Sequence, residues 1–321
     1  MYKTLPSFNK VVVWGHKLID ARLSNTFAFI HREWYRTFQN LGYDVIWLDD
    51  SDNVENISFE NCLFLTEGQV DKNIPIVKSS KYVLHNCNLL RYQPVIENVL
   101  NIQTYIKNRL PDEIVSQGQA IDGQPLIWYQ PKGLMTELGV ENYCNNRTLH
   151  MYWATNLLPH EIDPENTIAL KYNRQKRIFW VGSIMGGPHR NDDKIEQLKT
   201  EASKHGVQFI HAKVHNDMQP RAISESWIAP ALMGQWQVDS GYIPCRVFKN
   251  LSFGRMAHTN SSFVNLFFEN KLVCDNDVSQ MFIKAQEWEE NPDIVTLKDL
   301  VKLVRDKHTF VNRVHNILEV L

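Results

Sequence analysis

Apolar and polar positions alternate along the chain in blocks that switch between the strand and the helix period. Lys10–Trp14 is a short apolar run rich in β-branched residues that stops at Gly15, the signature of a buried strand. A polar loop, His16–Ser24, follows. Phe27, Ile30, Trp34 and Phe38 then fall three or four apart and predict a helix over Thr26–Leu41, with Asn25 as its cap and Gly42 as its stop. Tyr43–Leu48 reads as a second strand. Strand, helix and strand make a βαβ unit, which requires parallel pairing and a right-handed crossover. Cys62–Thr66, Ile74–Val77, Tyr82–His85 and Leu149–Ala154 read as further strands, and Leu89–Leu110 as a helix broken near Pro94. Pro111–Gly139 carries loops and short strands.

Thr155–His160 has the look of a crossing between domains, after which the alternation restarts. Strand Arg177–Val181 leads to helix Asp192–His205 and strand Val207–His211. A helix opens near Pro244, is interrupted by Gly254 and leaves through a strand-like exit. Val278–Glu290 and Leu297–Leu321 are well-patterned helices. The class is α/β, with two Rossmann-like βαβ domains facing a cleft: residues 1–160, residues 161–296, and a terminal helix, 297–321, that returns to the first domain. In such sheets ligands bind beyond the carboxyl ends of the strands.

Composition narrows the partners. At 321 residues the chain is long enough for two cores. Hydrophobic content of 43% and charged content of 22% fit a globular protein. A net charge of −2 makes nucleic acid an unlikely partner, since a general binder needs a basic surface. Five scattered cysteines form no C-x-x-C, so free thiols in a cytoplasmic protein are expected. Neither a signal peptide nor a membrane span is legible.

The second half carries two candidate anion sites. Val181–Arg190 follows a strand and holds Gly182, Gly186 and Gly187, so its amides can approach a ligand closely. Arg246 and Lys249 share one face at the start of the next candidate helix, where the macrodipole repels cations unless an anion is bound. Together with the segment Ser226–Leu232, these features resemble the donor domain of GT-B glycosyltransferases over roughly residues 175 to 290. Arg246–Asn260 is similar to that family's R-x-x-E-x-x-x-x-G donor helix. The chain departs from the pattern at Lys249, where many members carry the glutamate that holds the donor ribose. It also has no acidic residue between Gly241 and Phe268.

The resemblance implies a sugar-nucleotide glycosyltransferase that is inverting and metal-independent. Its UDP- or GDP-sugar donor would be held by Gly182, Ser183, Arg190, Lys213, Arg246, Lys249 and Ser252, and its acceptor would be a glycan or another hydroxyl. It points to the loop after the first strand for the base, where Asp20 and His16 are the candidates, with Glu67 after the third strand as another. His31 and Glu33 are expected on an exposed helix face. One rival feature is Asp50-Ser51-Asp52, a D-x-D after a strand, the pattern that chelates a metal in GT-A transferases. Asp275-Asn276-Asp277 repeats it. Three alternatives stay open: a sugar-nucleotide epimerase, a metal-dependent transferase using Asp50 and Asp52, and a non-catalytic nucleotide- or glycan-binding protein.

Overall fold

The computed structural model describes residues 6–17, 26–67, 70–87, 89–105, 148–165, 175–186, 190–211 and 218–321, together with short strands at 120–121, 124–125, 135–136, 139–140 and 144–145. The chain divides into two compact units. The first comprises Met1–Met135, Val140–Met151 and Arg313–Leu321; the second comprises Thr136–Gly139 and Tyr152–Asn312.

The first unit is built on a seven-stranded sheet. It contains β1 (Lys10–Trp14), β2 (Val45–Leu48), β3 (Cys62–Glu67), β4 (Lys81–His85) and β5 (Val99–Gln103). From one edge the order is Cys144–Asn145, Thr148–His150, β5, β4, β3, β1, β2, and only the first pair is antiparallel. Strands covered on both faces lose their alternation. Accordingly every residue of Val11–Trp14 and Cys62–Leu65 is at most 1% exposed.

Helix α1 (Thr26–Asn40) buries Ile30, Trp34 and Phe38. It closes with Gly42 in left-handed backbone, φ +82°, and the amide of Tyr43 donating to Phe38 O at 3.1 Å. The rings of Phe38 and Tyr43 meet edge to face at 5.4 Å, the apolar contact that accompanies this cap. His31 and Glu33 are buried as well, at 0% and 2% exposure, which corrects the expected exposed face. Helix α1 packs on β1 and β3, and Glu33 is covered together with Arg32 and Arg36, which approach its carboxylate at 3.1 and 3.9 Å.

Four predicted elements differ, the smallest change being the strand read over Leu149–Ala154, which is confined to Thr148–His150. Ile74–Val77 is not a strand: β4 pairs directly with β3, leaving no vacant position in the ladder, and Pro75 has no N–H to offer. Instead the Tyr82 hydroxyl accepts from Val77 N at 2.7 Å and donates to Pro75 O at 2.8 Å. The Leu89–Leu110 helix shrinks to a 3₁₀ segment, Leu89–Asn98, which breaks at Val95 one residue past Pro94. The chain then enters β5, whose five residues are all buried. Leu297–Leu321 is two helices, Ile294–Lys307 and Phe310–Val320. Asn312 Oδ1 accepts from both Thr309 N and Thr309 Oγ1, and the amide of Thr155 bonds to His308 O, so the backbone at His308–Thr309 leaves the helical ladder.

In the second unit strand Arg177–Trp180 pairs in parallel with Gln208–His211. Ala229–Pro230, Ala257–Thr259 and Val273–Cys274 form a parallel three-stranded sheet. The two ladders are tied by Trp227 N donating to Arg177 O at 2.7 Å and Phe179 N donating to Ser226 Oγ at 2.9 Å. Ile178, Trp180, Ile195, Leu198, Ile228 and Phe282 belong to one core. The buried amide of Asn260 exchanges two hydrogen bonds with the Met233 backbone, at 2.8 and 2.9 Å, and fixes the chain leading to helix Gln235–Asp239. Among the described residues no helix is long and apolar enough to cross a membrane.

Tyr82→Phe tests the account of the missing strand. It leaves a part-buried amide and carbonyl without the hydroxyl, and should lower the unfolding free energy by about 0.5–1.5 kcal/mol in urea titration without changing the slope.

Candidate functional site

The site is built where strand Arg177–Trp180 ends. Arg246, in the first turn of helix Cys245–Ser252, lays its guanidinium over the buried Trp180 ring, with Cζ 3.6 Å from the centroid. Its Nε donates to Val181 O at 3.2 Å. Gly182 makes this approach possible: a Cβ there would lie 2.1 Å from Arg246 Nη2, and the backbone has φ +137°. Among the described residues no carboxylate reaches ion-pair distance of Arg246. Burial pulls its pKa down to about 10, which still leaves it charged at neutral pH. His211, at the end of the neighbouring strand, places Nε2 2.9 Å from Gly182 O; a carbonyl only accepts, so that nitrogen carries the ring proton. A half-buried cation, an exposed glycine loop and an imidazole thus meet at one strand end.

The loop is held by a residue that sequence reasoning missed. Asn191 precedes helix Asp192–Lys204, yet its side chain makes no cap. It turns back instead. Its Oδ1 accepts from Met185 N at 2.8 Å, its Nδ2 donates to Ser183 O at 3.3 Å, and its own amide donates to Met185 O at 2.9 Å. The available signal was an asparagine just before two aspartates, since Asn bonds readily to nearby backbone.

Other candidates are placed as follows. Ser183 is exposed on the loop. Arg190 is exposed and pairs with Asp192 at 3.0 Å, a surface contact of little strength that an anion can displace. Lys249 is buried, and its Nζ donates to Gln219 Oε1 at 3.2 Å, so it does not stand beside Arg246 as an open cation. Ser252 is a correction: it is 1% exposed, donates to Lys249 O at 3.0 Å and meets Thr155 Oγ1 at 2.6 Å. It packs the interior. His16 is exposed just past β1. Asp20 and Lys213 lie outside the described residues, as do Gly187, Pro188 and His189.

The two D-x-D segments hold backbone and lysines. Asp50 accepts from Trp14 Nε1, Lys72 N and Asn73 N at 2.9, 3.1 and 2.9 Å. Asp52 accepts from Lys17 Nζ at 2.6 Å and Asp49 N at 2.7 Å. Asp277 caps helix Val278–Glu290, and Asp275 pairs with Lys284 at 2.7 Å.

No protein-family profile and no curated protein sequence matches the chain. Solved structures do. A DNA-modifying β-glucosyltransferase, determined with and without uridine diphosphoglucose, aligns with a TM-score of 0.50 and 11% identity over 97% of this chain and 100% of that one. The T4 phage enzyme with UDP-glucose aligns with a TM-score of 0.49 and 10% identity, over the same shares of the two chains. An α-glucosyltransferase bound to UDP and a 13-mer DNA aligns with a TM-score of 0.49 and 8% identity, over 97% of this chain and 99% of that one. The fold is the α/β fold of GT-B glucosyltransferases. The first of these enzymes modifies DNA, a partner class that the near-neutral net charge of this chain had made unexpected.

Asn191→Ala should raise amide hydrogen exchange at residues 183–186 and leave helix Asp192–Lys204 protected. Equal protection of that loop in both proteins would refute the role given to Asn191.

Proposed function

We propose that the chain transfers a sugar from a nucleotide-diphosphate donor to an acceptor hydroxyl, with inversion and without a metal. The observation that carries this reading is Arg246: a cation half removed from water, without a carboxylate partner among the described residues, fitted into the space left by Gly182 at the end of a parallel strand. Such a group lacks only an anion. In transfer, the acceptor oxygen forms a bond to the anomeric carbon, the bond from that carbon to the diphosphate breaks, and the leaving diphosphate takes the negative charge. Arg246 neutralises that charge where a divalent cation does so in other transferases. Ser183 and Arg190 border the same loop and supply further donor contacts.

UDP-glucose is the donor of choice to test, because the neighbour of this fold uses it. The same neighbour modifies DNA, so DNA offering a free hydroxyl is the first acceptor to test. Among the described residues Cys62, Cys87, Cys245 and Cys274 are in no disulfide, which supports a cytoplasmic location.

Titration calorimetry with UDP tests the donor site. Arg246→Ala should weaken binding by about 1.5–3 kcal/mol, the range for a hydrogen bond to a charged group, or roughly 10- to 150-fold. Binding and transfer should both survive EDTA. Unchanged UDP affinity in Arg246→Ala removes the donor assignment, and a loss in EDTA that Mn²⁺ restores removes the metal-free mechanism.

A further inference from the structure

Gly182 is gripped from two sides by residues of the second unit. Arg246 fills the place of its missing Cβ, and His211 takes its carbonyl, with Nε2 2.9 Å from Gly182 O. His211 pairs across the ladder with Trp180, so the two side chains leave the same face of the strand pair. The Trp180 ring carries the guanidinium of Arg246. One aromatic ring and one glycine therefore connect the cation to the imidazole.

The bond to Gly182 also decides what the rest of the His211 ring can do. Nε2 donates and holds the ring proton, so in the neutral imidazole Nδ1 keeps its lone pair and is an acceptor. Among the described residues nothing donates to it. His211, Gly182, Ser183 and Gly186 are all exposed, so a ligand meets this nitrogen directly from solvent. Glu67, at the end of β3, is closed off by comparison: it is 2% exposed, its Oε1 meets His85 Nδ1 at 2.9 Å, and its Oε2 is buried.

An acceptor beside a cation selects for a ligand with two kinds of group. Phosphate oxygens suit Arg246, but they offer only lone pairs and cannot satisfy Nδ1. In a nucleoside diphosphate the next group along the chain from the phosphates is the ribose, which brings hydroxyl donors. A neutral acceptor suits that position, because a carboxylate there would repel the same anion that Arg246 attracts. The stretch Gly241–Phe268, which carries Arg246, has no acidic residue to offer instead.

We infer that His211 recognises the ribose of the donor: Nδ1 accepts from a ribose hydroxyl while Nε2 holds Gly182 in the backbone conformation, φ +137°, that seats Arg246. This role rests on the transferase reading and deepens its donor half. It makes the site select ribonucleotides over deoxyribonucleotides, which carry the same diphosphate charge and would otherwise compete for Arg246 equally.

Titration calorimetry of the full chain with UDP, 2′-deoxy-UDP and 3′-deoxy-UDP tests it. The parent should bind UDP about 2- to 12-fold more tightly than at least one deoxy form, the worth of one hydrogen bond between neutral groups. In His211→Ala the three should bind alike, whatever common loss follows from releasing Gly182. A residue that only held the loop would lower all three affinities together and leave their ratio as it was. Should His211→Ala not fold, the parent labelled with ¹⁵N-histidine supplies the answer: the Nδ1 resonance of His211 should move upfield on adding UDP, and less with the weaker deoxy form. Equal binding of the three diphosphates by the parent, a preference retained in His211→Ala, or an Nδ1 resonance unmoved by bound UDP each overturns this role alone. No UDP binding by the parent overturns the transferase reading together with it.

Discussion

A guanidinium seated where a side chain is missing organises the second unit. Arg246 and Val181 are 65 residues apart in the chain, and they meet because Gly182 has no Cβ to exclude the cation. The contact couples the start of one helix to the end of one strand, and the Trp180 face supports it from below. Charge and burial oppose each other there. The stacking and the carbonyl bond replace part of the lost hydration, and the remainder is left for an anion to supply. A site of this kind is assembled before its ligand arrives, which lowers the ordering cost of binding.

The first unit follows the same logic with the opposite sign. Glu67 is a carboxylate brought out of water at a strand end, half satisfied by His85. A protein selected for stability alone would fill such a place with apolar side chains, as Val12, Phe64 and Leu84 do a few residues earlier on the same sheet. Parallel strands explain the location. Their interiors are covered on both faces, and polar side chains enter only at the ends, where the loops begin.

Elements with a strong period, or with a β-branched run stopped by glycine, were legible. Lys10–Trp14 and Val278–Glu290 were read with the bounds they have, and Asp192–Lys204 to within a residue. Legibility failed where buried polar residues interrupt the apolar ones. In Val99–Gln103 the polar Asn101 and Gln103 are covered along with Val99, Leu100 and Ile102, so the hydrophobic pattern does not separate strand from helix. The glycines of the Val181–Arg190 loop and Arg246 were visible as chemistry, but their meeting was not, because nothing local in either segment encodes a contact across 65 residues. His31 was misread because helical spacing tells which face is apolar, whereas a polar residue beside that face is covered or exposed according to what packs over it. Asn191 sat at a position where asparagine ordinarily caps the helix ahead, and the loop behind it took the side chain instead.

The first unit is discontinuous in the chain, and this bears on how it is made. Arg313–Leu321 belongs to it but is synthesised after every residue of the second unit. Val314, Ile317 and Leu318 are all at most 2% exposed, and Val320 and Leu321 line a small cavity with Val99 and Leu100. A nascent first unit therefore emerges with an uncovered apolar strip beside β5, and holds it open while the ribosome adds the intervening segment. At bacterial or eukaryotic elongation speeds, about 5–20 residues per second, that interval is long compared with strand pairing or collapse. During translation the unfinished sheet is the form of this protein most exposed to chaperones and to aggregation.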